Sequence, residues 1–170
     1  MTSFKKKRNV IVSNLPPFSI NKTCAVTGHR ILPKDFDRIK LKIYLGQIAE
    51  NGYEIFLVGM AKGFDLECFS VLTELKNEGK KVKICAVIPC SDQTSNYSEE
   101  EKILYSDCLS NADYIAEEKK PYFKNCMLIR DDYLVDNSSL LLAYHDGRRE
   151  GGTYYTIKKA EKRGLKIIYY

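Results

Sequence analysis

Residues 82–88 read VKICAVI, a run in which one lysine interrupts six apolar side chains. A strand with one face in water alternates apolar and polar residues, whereas a strand covered on both faces does not. Residues 23–27 (TCAVT), 53–58 (YEIFLV) and 139–144 (SLLLAY) share this non-alternating character. Between the runs lie segments with helical periodicity. Leu41, Tyr44, Leu45 and Ile48 fall at i, i+3, i+4 and i+7, and Cys68, Val71, Leu72 and Leu75 repeat the pattern. Buried strands alternating with amphipathic helices leave few architectures open. The chain is predicted to be an α/β fold in three layers: a doubly wound, mostly parallel sheet of about six strands with helices on both faces.

Local signals place the boundaries. Helices are expected from Pro33 to the Asn51-Gly52 stop, from the Gly59–Asp65 loop region to Gly79, from Ser98 to Asn111, over residues 122–136 and over residues 153–163. Ser98 and Glu101 have the spacing of a capping box. Short strands complete the pattern at residues 113–116 and 165–169. Residues 1–21 lack periodicity, contain Pro16-Pro17 and carry the basic run KKKR at residues 5–8. They are read as a flexible, basic N-terminal extension, with room for a short edge strand at residues 10–12, and residues 22–170 as the folded domain.

Composition removes several classes. Of the 170 residues, 44% are apolar and 29% charged, which suits a globular domain with its own core. No apolar run approaches the ~20 residues of a membrane span and nothing resembles a secretory leader, so a cytoplasmic protein without membrane contact is expected. The six cysteines show no CxxC spacing, and several fall inside apolar runs, so they are read as reduced, buried thiols. Two histidines, His29 and His145, do not assemble a zinc site of the usual spacing, and no metal is expected.

In a sheet of this type ligands bind beyond the carboxyl ends of the strands, near the point where strand order reverses. Four loops qualify. In the first, Gly28, His29 and Arg30 follow the first apolar run. The glycine and the guanidinium suit a phosphate turn, while His29 by itself reads first as a hydrogen-bonded structural residue and second as a catalyst. In the second, Gly59 and Gly63 surround a turn and Asp65 opens the next helix. Asp65 reads first as a helix N-cap, with ribose or base recognition the alternative. The third spans residues 89–96. In the fourth, Asp146-Gly147 leads to Gly151, Gly152 and Thr153 at a helix start. There, bare backbone N–H groups and the helix dipole suit an anion, or the glycines merely make a tight turn. The full GxGxxG pattern and an acidic residue ending the second strand are both missing, which disfavours an ordinary NAD dehydrogenase. Arg130, on the fourth predicted segment of helix, is the remaining cation of interest.

Together the blocks TCAVTGHR, GMAKGFDLE, AVIPC, NCMLIRDDYLVDNSSLLLAYHDG and GGTYYTIKKA, in this order, resemble the YpsA-like branch of the SLOG superfamily, which also holds the LOG phosphoribohydrolases and the Smf/DprA DNA-processing proteins. The resemblance spans residues 22–170. It implies a Rossmann-like domain, a pocket for a nucleotide or nucleotide derivative, and a homo-oligomer. It also carries a departure. The glycine-rich motif of LOG enzymes ends in a glutamate that, with an arginine from a preceding helix, serves cleavage of the N-glycosidic bond. Arg130 matches that arginine, but Thr156 stands at the glutamate's position. A neutral hydroxyl is a poor proton acceptor and a poor stabiliser of an oxocarbenium-like centre.

The leading expectation is therefore a binding or sensing domain for a phosphate-bearing nucleotide, ADP-ribose- or NAD-like, with no other cofactor required. Gly28, His29, Arg30, Gly59, Gly63, Asp65, Gly147, Gly151, Gly152 and Thr153 are its candidate binding residues. The alternative is a hydrolase of a nucleotide's N-glycosidic bond, with His29, Arg130 and Asp65 as catalytic candidates. A second alternative is single-stranded DNA binding, as in the DNA-processing relatives. The twelve tyrosines are compatible with base stacking but are dispersed, with no interleaved basic–aromatic strip.

Overall fold

The computed structural model describes residues 11–13 and 19–170. Its strands are β1 (Ile11–Ser13), β2 (Thr23–Gly28), β3 (Ile55–Val58), β4 (Lys83–Ile88), β5 (Tyr114–Glu117), β6 (Leu140–Tyr144) and β7 (Lys166–Tyr169). The helices are α1 (Arg38–Glu50), α2 (Phe64–Asn77), α3 (Glu99–Ser110), α4 (Cys126–Asp136) and α5 (Gly151–Arg163). One sheet results, in the order β1-β5-β4-β3-β2-β6-β7. Strands β2 to β7 are parallel throughout, and β1 alone runs antiparallel, against β5. The six-stranded parallel sheet is thus present, with a seventh strand along one edge. The flexible basic run expected at residues 5–8 lies outside the described residues.

Successive side chains of each central strand enter different cores, which explains the apolar runs. Cys24, Val26, Ile84, Ala86, Leu140 and Leu142 face one core with α1 and α2, where Phe56, Phe64 and Phe69 are fully buried. Ala25, Cys85, Val87, Leu141 and Ala143 face the other, with Leu134 and Val135 of α4 and Ile157 and Ala160 of α5. Both faces are dry. Truncating a side chain such as Phe56 to alanine would cost about 3–5 kcal/mol, in lost apolar transfer and cavity formation together. All six cysteines are free and buried.

Three helix starts differ from the sequence expectation, each for a local reason. Helix α1 begins at Arg38, five residues after Pro33, because the Asp37 carboxylate accepts the Lys40 N–H at 2.9 Å and caps it. The skipped segment turns Phe36 inward onto Tyr170, with ring centroids 5.3 Å apart. Helix α4 begins at Cys126 since Asn125 sits in the left-handed region at φ 68°. Helix α5 begins at Gly151, so both glycines of the pair belong to its first turn. The Ser98–Glu101 capping box forms as expected at α3.

Strand order reverses beside β2. The chain moves from β2 outward through β3, β4 and β5, then returns over α4 to β6 on the other side of β2. The switch point therefore lies between β2 and β6, whose neighbours pair as far as Gly28 and Tyr144. Among the described residues, no helix is long and apolar enough to cross a membrane.

Candidate functional site

A cleft of about 420 Å³ opens at that switch point. Thr27, Gly28, His29 and Arg30 line it from the first loop, the buried Asp65, Arg130 and Asp131 form its floor, and Arg148 with Gly151, Gly152 and Thr153 line it from the fourth loop. The first and fourth candidate loops, more than a hundred residues apart in the chain, thus share one space.

The fourth loop contributes backbone. Glu150 is the N-cap of α5 and its side chain makes no capping hydrogen bond. Gly151 takes φ 86°, a conformation that disfavours any side chain, and so starts the helix without covering its own amide. A Cβ on Gly152 would sit 3.6 Å from an Asp131 carboxylate oxygen, an ordinary contact. Thr153 is buried within the first turn and does not cap. A helix N-terminus with unscreened amides remains, carrying partial positive charge toward the cleft.

The first loop is held from beneath. Gly28 must lack a side chain, because a Cβ there would lie 2.5 Å from Phe64. Gly63, at φ 79°, docks against the same loop, and a Cβ on it would meet the His29 and Arg30 carbonyl oxygens at 2.5 Å. The Phe64 N–H donates to the His29 carbonyl at 3.1 Å. Neither a hydrogen bond nor an ion pair ties the Arg30 side chain to another described residue. Its charge still acts on the floor, where it lowers the Asp65 pKa. Burial, outweighing the nearby Asp146 carboxylate, lowers the His29 pKa. Its Nε2 accepts the Asp146 N–H at 3.0 Å. The Asp146 carboxylate, though 3.1 Å from the same nitrogen, is held by the Arg148 guanidinium, whose Nε contacts both oxygens at 3.0 and 2.9 Å.

The floor is a buried ionic group. Arg130 is 6% exposed. It donates from Nε to Asp131 at 2.6 Å and from Nη1 to the Gly59 carbonyl. Burial opposes its charge, but Asp131 and Asp65 outweigh that and raise its pKa. Gly59 serves this guanidinium, which would lie 2.5 Å from any Cβ placed there. Asp65 is not the N-cap expected from the sequence. Gly63 takes that position, and Asp65 lies one residue inside α2, 5% exposed, with its Oδ2 accepting the Ala61 N–H at 3.2 Å. Burial pushes its pKa up to about 7, against the lowering pull of Arg130. An acid that is half protonated near neutrality can donate or accept a proton.

Not every candidate reaches the cleft. Gly59 and Gly63 lie behind its wall, seating Arg130 and the first loop. Gly147, at φ 91°, sits in an open turn with nothing within 4 Å of its Cβ position. Thr156 is fully buried and donates its hydroxyl to the Gly152 carbonyl at 2.8 Å, so it does not face the cleft. Sequence reasoning passed over Asp131 and Arg148. Asp131 follows Arg130 directly and looks like a surface ion-pair residue; Arg148 lies in a flagged loop but was not distinguished from its neighbours.

These features define an α/β domain of Rossmann-like architecture with a cleft at its topological switch point, lined by arginines and by the N-terminus of α5. The YpsA family model, described as the YspA SLOG family, matches residues 35–169. The chain belongs to that family, within the SLOG superfamily. The UPF0398 protein lwe1908 of Listeria welshimeri is 30% identical over 161 residues, with 88% of each chain covered. Among solved structures, DNA processing protein A of Streptococcus pneumoniae superposes with a TM-score of 0.63 at 21% identity, over 88% of this chain and 50% of that one. The Helicobacter pylori protein of the same name, described for its single-stranded DNA binding mode, gives 0.62 at 17% identity, over 86% of this chain and 64% of that one. The chain thus spans about half to two thirds of those proteins, and at these identities the likeness is one of fold.

Proposed function

We propose that the switch-point cleft binds a phosphate-bearing nucleotide or nucleotide derivative, ADP-ribose- or NAD-like, and that the domain is a binding or sensing module. One observation carries the reading: the first turn of α5, which has no side-chain cap, and the Arg30 side chain, which has no hydrogen bond or ion pair among the described residues, line the same cleft. Backbone amides and a guanidinium bind phosphate without a general base. Asp65 and Asp131 on the floor are placed to accept ribose hydroxyls. Arg130, which spends one N–H on Asp131 and one on the Gly59 carbonyl, orders the floor. The ligand itself is the only small molecule the reading requires, with no metal and no membrane contact.

The test is a thermal-shift screen over inorganic phosphate, AMP, ADP, NAD and ADP-ribose, repeated on Gly152→Asp. Saturation at a hundred times the dissociation constant stabilises by about 2.7 kcal/mol. The reading expects stabilisation by at least one nucleotide and its loss in Gly152→Asp, where a carboxylate meets the α5 amides. No shift with any of them overturns it.

A second reading is supported by the Asp65 environment: hydrolysis of a nucleotide's N-glycosidic bond, with Asp65 as proton donor in place of the missing glutamate. Chromatographic detection of free base from AMP or NAD, abolished by Asp65→Asn, would establish it. The absence of product would leave binding alone. Single-stranded DNA binding, suggested by the Helicobacter pylori relative, predicts oligonucleotide affinity with a steep salt dependence.

A further inference from the structure

A second hollow of about 460 Å³ lies beside the cleft, at the carboxyl ends of β3 and β4. The two are not independent: Arg30 and Ala61 line both. An elongated molecule with its phosphates against α5 would therefore extend into the second hollow past Arg30 and Ala61.

The walls of this second lobe are built before any ligand arrives. Gln93, 8% exposed, donates from Nε2 to the Gly59 carbonyl at 3.0 Å and so ties the β4–α3 loop to the β3–α2 loop. The Tyr97 hydroxyl makes a second tie, donating to the Met60 carbonyl at 3.0 Å and accepting the Lys62 N–H at 3.1 Å. Met60 is fully buried with φ 59°, a left-handed conformation that a non-glycine residue keeps only when its surroundings enforce it. On the far side, the Tyr122 N–H donates to Asp92 at 2.7 Å, which fixes the segment before α4 to the same loop. Three loops are thereby locked around one space.

The lining has a definite chemistry. Tyr122 is 64% exposed although its backbone is tethered, and Met127 lines the same hollow. Ser95 and Asn96 are exposed at the lip, and no other described residue hydrogen-bonds their side chains. An aromatic face and a free carboxamide in one hollow offer what a nucleobase needs: a face to stack on, and one donor with one acceptor for its edge. A carboxamide matches the donor–acceptor edge of adenine.

From this we infer that the second lobe is a nucleobase subsite, holding the adenine-type base of the same ligand whose phosphates rest on α5. The inference depends on the phosphate reading of the first cleft. It moves base recognition away from Gly59 and Gly63, which serve packing, to Tyr122, Ser95 and Asn96.

Isothermal titration of the full chain with inorganic pyrophosphate and with ADP separates the two lobes. The wild type is expected to bind ADP at least about tenfold more tightly than pyrophosphate, the order of one base stack. Tyr122→Ala and Asn96→Ala, both at exposed side chains, should each remove much of that advantage and leave pyrophosphate affinity unchanged. Equal affinity of the wild type for the two probes, or variants that weaken both alike, overturns the base subsite while the phosphate site stands. Binding of neither probe overturns both readings together.

Discussion

Asp65 ties the fold to the chemistry of its cleft and lends itself to a quantitative test. Its carboxyl group is buried on the floor, and burial raises its pKa from 3.8 to about 7. A folded state that holds the proton more tightly than the unfolded chain gains stability from it at low pH. That gain is complete below the unfolded value and is lost as pH rises through the folded one. The gap between 3.8 and about 7 corresponds to about 4 kcal/mol. Asp65→Asn cannot ionise, yet its carboxamide oxygen can still accept the Ala61 N–H. Urea unfolding of both proteins from about pH 4 to about pH 8 is the assay. Groups common to both cancel in the difference. The stability of Asp65→Asn relative to wild type should rise by up to about 4 kcal/mol across this range and level off above it. A difference independent of pH would mean that Asp65 ionises as an ordinary carboxylate, stabilised by Arg130, and would remove it as a proton donor near neutrality.

The glycines make further contrasts. Gly63→Ala meets both an unfavourable φ and two carbonyl oxygens at 2.5 Å, whereas Gly147→Ala meets only the unfavourable φ. In denaturant titrations the first should cost roughly 2–4 kcal/mol and the second about 1 kcal/mol. Gly28→Ala should cost about 1–3 kcal/mol by overpacking against Phe64, measurable as a lowered Tm. Ser98→Ala removes the α3 cap and should cost about 1 kcal/mol by the same measurement, without altering nucleotide binding.

The sheet was legible because strands buried on both faces must be apolar on both faces, as Ile84–Ala86–Ile88 and Cys85–Val87 show by entering different cores. The capping box was legible because its geometry is local. Less visible was what approaches each glycine. Gly59 and Gly63 invite close contact in sequence just as Gly152 does, yet the Arg130 guanidinium fills the space at one and the His29–Arg30 backbone the space at the other. Asp65 looked like a cap because its burial arises only when α4 brings Arg130 and Asp131 beneath the β3–α2 loop. Asp131 itself had no signal of its own: an acid next to an arginine reads as a surface pair until the helix is seated. The second lobe draws on three loops: the Gly59–Asp65 loop and residues 89–96 stood out in the sequence, but the segment before α4 that brings Tyr122 did not.

The account rests most heavily on Arg30, a cation at the mouth of both lobes. Calorimetric titration of ADP-ribose into wild type and Arg30→Ala tests it directly. Because this side chain is exposed and holds no partner among the described residues, the variant's Tm without ligand should match wild type within the equivalent of about 0.5 kcal/mol. Its affinity should fall about 10- to 100-fold, the worth of a charged hydrogen bond to phosphate. Unchanged affinity in Arg30→Ala, or no binding of ADP-ribose to wild type, would contradict the account.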